Sequence, residues 1–251
     1  MAVGPAVHLR NANTGELVCS ALTHHTSRVN CVAFGPCAHI SPGTPSSSAT
    51  TATSRTSTVG TILATGGDDC TVRLYAADTL PPVPTFVLTG HVHRVACVAI
   101  GPSIPGLPLL VASGSDDETV RLWDTGTGLA LGAPLVAHTG SVPSVAFAPC
   151  VTGATGGMVL LASAGGWDAT VRLWDVGVLP PRPVGVPMCG HTGWVYSVAF
   201  GPWTPGSRLW LASASHDKSI RLWDVGSRGC RPVGEPLLGH SKDVRRSNWL
   251  L

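Results

Sequence analysis

The residues best suited to chemistry in this sequence are histidines, hydroxyl residues and aspartates that recur together. One histidine, one serine and one aspartate stand in the same order in three consecutive stretches, and an earlier stretch has threonine in place of serine. These residue types make up a hydrolytic triad, in which histidine takes the proton of the hydroxyl. An enzyme needs one such site, so a set that recurs in every stretch argues against catalysis. The sets are His25, Thr65 and Asp69; His91, Ser113 and Asp117; His138, Ser163 and Asp168; and His191, Ser213 and Asp217.

The spacing of these sets reveals an internal repeat of about 50 residues. Aligned histidines stand at positions 25, 91, 138, 191 and 240, and all but the first follow glycine or alanine. A second marker, a run of the type Val-Arg-Leu-Trp-Asp, closes four stretches near residues 76, 124, 175 and 224. A fixed period of this size is typical of repeat architectures.

Each repeat has the pattern of short strands. In the stretch 190–224, residues alternate between two faces from Val195 to Phe200, and two further apolar runs follow between turn residues. Such alternation indicates β-strands joined by tight turns. A shorter run that follows each Trp-Asp contains proline, which suits an edge strand. The sequence therefore predicts a four-stranded antiparallel sheet in each repeat.

Four motifs carry a family resemblance: Gly-His, Val-Ala-Phe-x-Pro, Leu-Ala-Ser-x-Ser and Asp-x-Thr-Val-Arg-Leu-Trp-Asp. Together they resemble the WD-repeat β-propeller family. The resemblance implies an all-β fold with four clear blades, each taking its outer strand from the previous repeat. A partial fifth blade would combine residues 6–10 with 232–238 and 243–249, either in a five-bladed ring or in part of a larger propeller.

The whole chain, residues 1–251, is then one domain. A Ser/Thr/Pro-rich insert at 41–58 is predicted to be a disordered loop because it has too little apolar surface to bury.

The resemblance also gives the recurring sets a structural role. In the family, an indole N–H donates to the hydroxyl, the hydroxyl to one histidine nitrogen, and the other ring N–H to the turn carboxylate. Ser163 is one residue further from its aspartate than the other hydroxyls are, so either a bulge or a substitute hydroxyl is expected there. The fourth members are Trp123, Trp174, Trp223 and, in the first set, Tyr75, which would donate from a different place.

The resemblance implies that two further positions in each repeat lie on one face of the propeller, around its central channel. One is three residues after each histidine and the other directly precedes each aspartate. Because tryptophan and arginine dominate binding energy at interfaces, Trp167 and Trp194 are predicted to form an aromatic platform flanked by Arg94 and His216; the alternative is packing on neighbouring loops. The positions are Arg28, Arg94, Ser141, Trp194 and Asp243, and Asp68, Asp116, Trp167 and His216.

Composition narrows the class of partner. Charged residues make up 12% of the chain and the formal net charge is +2, which disfavours nucleic acid, and no apolar run reaches the length of a membrane span. Low surface charge favours self-association through open blade edges. The N-terminus lacks an apolar signal segment, which predicts a cytoplasmic protein, with the nucleus as the alternative. The eight cysteines are expected to be structural thiols.

No nucleotide-binding, metalloprotease or nucleophile-elbow motif occurs in the sequence. We therefore expect a non-enzymatic scaffold that binds peptide segments or partner proteins on the propeller face, without cofactor or metal. The alternatives are a substrate-recognition or regulatory subunit of a larger signalling or ubiquitin-ligase type complex and, with less support, a propeller hydrolase or lyase. The last would depend on His93, His216 and Asp116, and zinc bound by the two histidines would favour it.

Overall fold

A computed structural model describes residues 4–38, 59–78, 80–104, 106–149, 158–203, 207–226 and 229–245. The predicted insert at 41–58 lies outside these residues. Within them the secondary structure is all β, in four four-stranded antiparallel sheets. The first sheet contains β1 Val29–Ala38, β2 Val59–Gly67, β3 Val72–Ala76 and β4 Val83–Leu88; the second β5 Val95–Ile100, β6 Leu110–Ser115, β7 Thr119–Asp124 and β8 Leu135–Val136; the third β9 Ser144–Phe147, β10 Leu160–Ala164, β11 Val171–Asp175 and β12 Arg182–Pro183; the fourth β13 Val195–Phe200, β14 Leu209–Ser215, β15 Ile220–Gly226 and β16 Gly229–Leu237.

Strands that are consecutive in the chain are neighbours in every sheet. The predicted four-stranded blades are thereby confirmed, but their outer strands were assigned to the wrong repeat. Each outer strand is the next strand in the chain after the third strand of its own sheet, because consecutive strands usually pair with one another. Residues 232–237 therefore belong to the outer strand β16 of the fourth sheet and are not part of a fifth one.

The four sheets pack face to face in chain order. Each interface is an apolar cluster in which valines of one inner strand and a tryptophan of the third strand meet the preceding sheet. Between the first and second sheets, for example, Val95, Val98 and Trp123 pack with Ala64 and Leu74. Stacking of this kind buries a face that no single sheet could bury alone.

The described terminal residues extend the stack at both ends. Residues 7–22 form a hairpin through bridges between Val7 and Leu22 and between Arg10 and Leu17, and the hairpin packs on the first sheet. Near the other end, the Val244 N–H donates to the Ser215 carbonyl at 3.0 Å. The second and third sheets are joined by an equivalent bond, from the Val142 N–H to the Ser115 carbonyl.

Candidate interaction face

The recurring histidine sets are buried hydrogen-bonded chains. In the second sheet, the indole N–H of Trp123 donates to Ser113 Oγ at 2.9 Å, and the serine hydroxyl donates to His91 Nε2 at 2.8 Å. The His91 Nδ1–H then donates to Asp117 Oδ2 at 2.7 Å. Ser113 is fully buried. The hydroxyl is therefore held between indole and imidazole, where it cannot reach a substrate.

The third and fourth sheets contain the same arrangement. Trp174 and Trp223 each donate to a serine at 2.9 Å, and that serine is 2.8 Å from the histidine Nε2. Ser163 fills the hydroxyl position of the third set despite its longer spacing to Asp168. The extra residue lies in the turn, at Gly165 and Gly166, and so leaves the strand register intact.

The first set lacks the hydrogen bond that tryptophan donates to the hydroxyl in the other three sets. His25 Nε2 is 2.7 Å from Thr65 Oγ1, and its Nδ1 lies 2.9 Å from Asp69 Oδ2. The Tyr75 hydroxyl, expected to donate in place of the indole, is buried without a hydrogen-bond partner among the described residues. Tyr75 occupies the same register position as the tryptophans, opposite Leu63 of β2, as Trp123 lies opposite Val111 of β6.

Burial and the aspartates together determine protonation in these sets. Burial lowers the pKa values of His25, His91 and His191 below 6.5, although hydrogen bonds to the aspartates act in the opposite direction. Burial would raise the pKa of Asp168, but the hydrogen bonds it accepts from His138 and Thr170 outweigh this and lower its pKa to about 2. Each of these three histidines is thus neutral and donates from Nδ1 to an ionised carboxylate.

The same aspartates shape the turns that carry the candidate face. Asp117 Oδ1 accepts the backbone N–H and the hydroxyl of Thr119. The residue between them, Glu118, has a φ of +69°, and Cys70, Ala169 and Lys218 occupy the same left-handed position in the other sheets. Each set therefore fixes one tight turn between the second and third strands.

A repeated backbone bond then joins the two face positions within three of the sheets. The residue before the aspartate donates its N–H to the carbonyl of the residue three after the histidine. In the third sheet, the longer turn moves this donor back to Gly166, which bonds to Ser141. The pairs are Asp68 with Arg28 at 2.8 Å, Asp116 with Arg94 at 3.1 Å, and His216 with Trp194 at 2.8 Å.

Aromatic rings form a continuous row across the third and fourth sheets. The ring centroids of Trp167 and Trp194 are 5.4 Å apart, and Trp194 in turn contacts Tyr196 at 6.2 Å. Tyr196 lies edge-on to His216, and the Arg245 guanidinium sits 5.5 Å from the tyrosine ring centre. The side chains of Trp167 and Trp194 remain 68% and 40% exposed. We call these five residues the aromatic row.

The longer turn of the third sheet holds Trp167 in this row. Its indole lies directly over Gly140, where a Cβ would fall 2.4 Å from Trp167 Cδ1 and where φ is +115°. Glycine is therefore required at position 140 for the ring to lie flat on the backbone.

The other predicted face residues make separate contacts. Arg94 forms an ion pair with Asp116 in the second sheet, and Asp68 accepts a hydrogen bond of 2.7 Å from Asn30 Nδ2. Arg28 is exposed. Arg245, the cation of the row, also donates from Nε to Asp243 Oδ2 at 2.8 Å. The predicted place of Arg94 beside the two tryptophans stays a prediction.

Sequence reasoning did not single out Tyr196 or Arg245. Tyr196 lies at a β-bulge between Val195 and Ser197, the same place where Asn30 interrupts the inner strand of the first sheet. A bulge turns its residue out of the alternating pattern. The available signal was therefore a large ring at a position where the other repeats have Asn30, Ala96 and Pro143. Arg245 departs from the apolar pattern of the repeat, and this departure was the corresponding signal.

The described part of the chain was compared with the requirements of a metal site and of a membrane-spanning helix. No group of three or more histidine, cysteine, aspartate or glutamate side chains there could hold an ion, at His93 and His216 or elsewhere. Among the same residues, no helix is long and apolar enough to cross a membrane.

Comparison with known proteins gives relatives with the same repeats. The chain is 33% identical over 76% of its length to the nuclear distribution protein PAC1 of Ajellomyces capsulatus, and 31% identical over 47% to nuclear distribution protein nudF 2 of Penicillium rubens. The WD repeat-containing protein VIP3 of Arabidopsis thaliana is 39% identical over 45% of the chain. The chain spans only 43%, 26% and 31% of these three proteins, respectively.

The family assignment rests on most of the chain. The model of the WD domain, G-beta repeat, matches four times, at residues 15–76, 82–124, 131–175 and 182–224. Each match ends at the Trp-Asp position or its equivalent, with a histidine set inside it. Four sheets, four sets and four matches show that the chain belongs to the WD40 repeat family.

Proposed function

We propose that the protein is a non-enzymatic scaffold that binds peptide segments or partner proteins on the face that carries the aromatic row. The observation that carries this proposal is the contact between Trp167 and Trp194, which remain exposed although they belong to different sheets. Rigid aromatic side chains provide large contact area at low entropy cost. The bonded turns beneath them hold the row in place before a partner arrives.

Membership in a repeat family of interaction proteins supports this reading, and the buried sets oppose a hydrolase. Each serine hydroxyl lies between an indole and an imidazole, so no nucleophile faces solvent at these positions. The partner face also includes Arg28, Arg94, Asp68 and Asp116, which would supply charged contacts around the row.

The test is affinity purification with quantitative mass spectrometry, using wild-type protein and the double variant Trp167→Ala/Trp194→Ala. We expect a defined group of proteins to be retained by the wild type and lost by the variant, with nearly identical circular-dichroism melts. Val186→Ala, at a position that is 81% exposed outside the row, is the matched control and should retain the same proteins. Retention by the double variant, or a collapse of its melt, would contradict the proposal.

A further inference from the structure

The two indoles of the aromatic row form a platform of contacting rings. The ring centroids of Trp167 and Trp194 are 5.4 Å apart and the ring planes are tilted by 34°, a separation at which aromatic rings touch. Both side chains are exposed. A partner side chain therefore reaches this platform from outside, through the exposed ring surfaces, and does not insert between the rings.

The chain itself shows what a ring of this row binds. The guanidinium carbon of Arg245 lies 5.5 Å from the ring centre of Tyr196, the ring next to Trp194. A cation within about 6 Å of an aromatic centroid is attracted by the quadrupole of the ring, and tryptophan attracts it most strongly. The two exposed indoles are therefore better sites for a guanidinium than the tyrosine that already has one.

The loops that carry the platform contain no lysine or arginine. Residues 138–141, 165–168 and 191–194 include one carboxylate, Asp168, which is ionised at neutral pH. At the position of Trp194, by contrast, the first two sheets have Arg28 and Arg94. A cationic side chain thus meets a carboxylate and no competing cation in the loops of the platform.

A hydrogen-bond acceptor lies beside the platform. A Cβ on Gly166 would fall 2.9 Å from Ser141 Oγ and 3.7 Å from Trp194 Cε3, so the hydroxyl and the indole border the same point. Among the described residues, the Ser141 hydroxyl has no hydrogen-bond partner. A guanidinium that stacks on an aromatic ring directs its N–H groups outward in its own plane, where an oxygen at the edge of the ring can accept one of them.

We infer that the platform binds the side chain of an arginine supplied by a partner peptide, with its guanidinium stacked on Trp167 and Trp194 and hydrogen-bonded to Ser141 Oγ. The inference rests on the proposed function and specifies the chemistry of the partner. Lysine fits less well, because its compact ammonium does not stack on a ring as the planar guanidinium does. An acidic side chain is disfavoured by Asp168 and by the negative faces of the indoles.

The test follows the indole N–H signals of the nitrogen-15-labelled 251-residue protein by NMR. The probe is the capped pentapeptide acetyl-Gly-Gly-Arg-Gly-Gly-amide, and three control peptides replace its arginine with lysine, leucine or citrulline, which keeps the shape of arginine without its charge. We expect the arginine peptide to shift the signals of Trp167 and Trp194 and to leave those of Trp203 and Trp210, which lie outside the row, in place. Each control peptide should bind at least about twofold more weakly, because it lacks the stacked cation.

Two variants separate the ring surfaces from apolar contact. Trp167→Leu/Trp194→Leu keeps an apolar surface without aromatic rings and should lose the preference for arginine over citrulline. Ser141→Ala should reduce the preference for arginine over lysine, and the control Val186→Ala should change neither. Circular-dichroism melts verify that the variants fold, and the two single leucine variants provide the same test if the double variant unfolds.

Three results would overturn the inference. The arginine peptide could bind no more tightly than the citrulline or leucine peptide, or no more tightly than the lysine peptide. In affinity purification, the Trp167→Leu/Trp194→Leu variant could retain the proteins that the wild type retains. In each case, loss of those proteins in Trp167→Ala/Trp194→Ala would still support the proposed function, so the two proposals fail separately.

Discussion

Two aspartates in the fourth sheet show how much the role of one residue type depends on its contacts. Asp217 accepts hydrogen bonds from His191 Nδ1, the Thr192 N–H and the Ser219 N–H, all within 3.0 Å. Among the described residues, the side chain of Asp224, the aspartate of Trp-Asp, pairs with the exposed Arg208 at 3.1 Å. The first carboxylate closes a buried network, whereas the second contributes to a surface ion pair.

Replacing each aspartate with asparagine should separate these roles. Asp217→Asn should lower the free energy of unfolding by about 1–3 kcal/mol, because buried donors lose an ionised acceptor. Asp224→Asn should cost less than about 1 kcal/mol, as exposed ion pairs usually do. Urea denaturation followed by tryptophan fluorescence measures both, and equal losses would show that the histidine set does not stabilise its turn.

Tyr75 is the second test at the residue scale. Its hydroxyl is buried without a described partner, so Tyr75→Phe should leave the free energy of unfolding unchanged or raise it by up to about 1 kcal/mol. Trp123→Phe removes an indole N–H that bonds Ser113 and should cost at least about 1–3 kcal/mol. The two variants should be compared by chemical denaturation. A large loss in Tyr75→Phe would indicate that the hydroxyl is bonded in solution.

At the scale of the element, the sequence predicted strands and turns wherever the repeat places the same residue types at the same positions. The alternation in β13, the prolines of the edge strands and the turn aspartates all repeat, and each has a direct local cause. The outer-strand assignment was wrong because a period does not show where one unit ends and the next begins. The platform prediction included Trp167 and Trp194 but not Tyr196, since a single bulge decides where that ring points.

The inner strands also show a size match between each residue at one position and the residue opposite it on the second strand. Cys31 and Cys97 lie opposite Gly66 and Gly114, whereas Ser144 and Ser197 lie opposite alanines. A Cβ on Gly114 would fall 2.7 Å from Cys97 Sγ. Burial raises the pKa of Cys97 to about 12, so this thiol acts as a packing group rather than a nucleophile.

A double-mutant cycle tests this match. Gly114→Ala should destabilise the protein by about 1–3 kcal/mol through overpacking, and Cys97→Ser should recover part of that loss by replacing sulfur with the smaller oxygen. The coupling energy between the two sites comes from four denaturation curves. Additive effects would mean that the Val142 carbonyl, which a Cβ would also approach to 2.7 Å, alone excludes alanine.

At the scale of the whole molecule, the sheets contact their chain neighbours, and each interface repeats the same chemistry. Stability in such a stack is approximately a sum over units and interfaces. The exposure of Val32 in the first sheet is therefore recognised only by comparison with the buried valines Val98, Val145 and Val198 at the same position of the other sheets. No single repeat of the sequence could have shown it, because Val32 occupies an ordinary position within its own pattern.

The repeated histidines also predict how stability depends on pH. Burial lowers the pKa values of His25, His91 and His191 below 6.5, so the unfolded chain takes up protons at a higher pH than the folded one. Stability is then fully present above pH 6.5 and falls as the pH drops below it. Asp168, with a pKa lowered to about 2 from 3.8, adds a second loss as the pH falls from about 4 to 2.

Urea denaturation from pH 8 to pH 3 should show the first of these losses and the start of the second. The matched control is His216→Asn, which removes an exposed imidazole without touching any of the histidine sets and should leave the slope between pH 7 and 5 unchanged. Three buried sites should make the wild-type slope steeper than one imidazole could. A free energy of unfolding that stays constant or rises from pH 7 to 5 would mean that the buried histidines are protonated in the folded protein, and that their bonds to the aspartates are ion pairs.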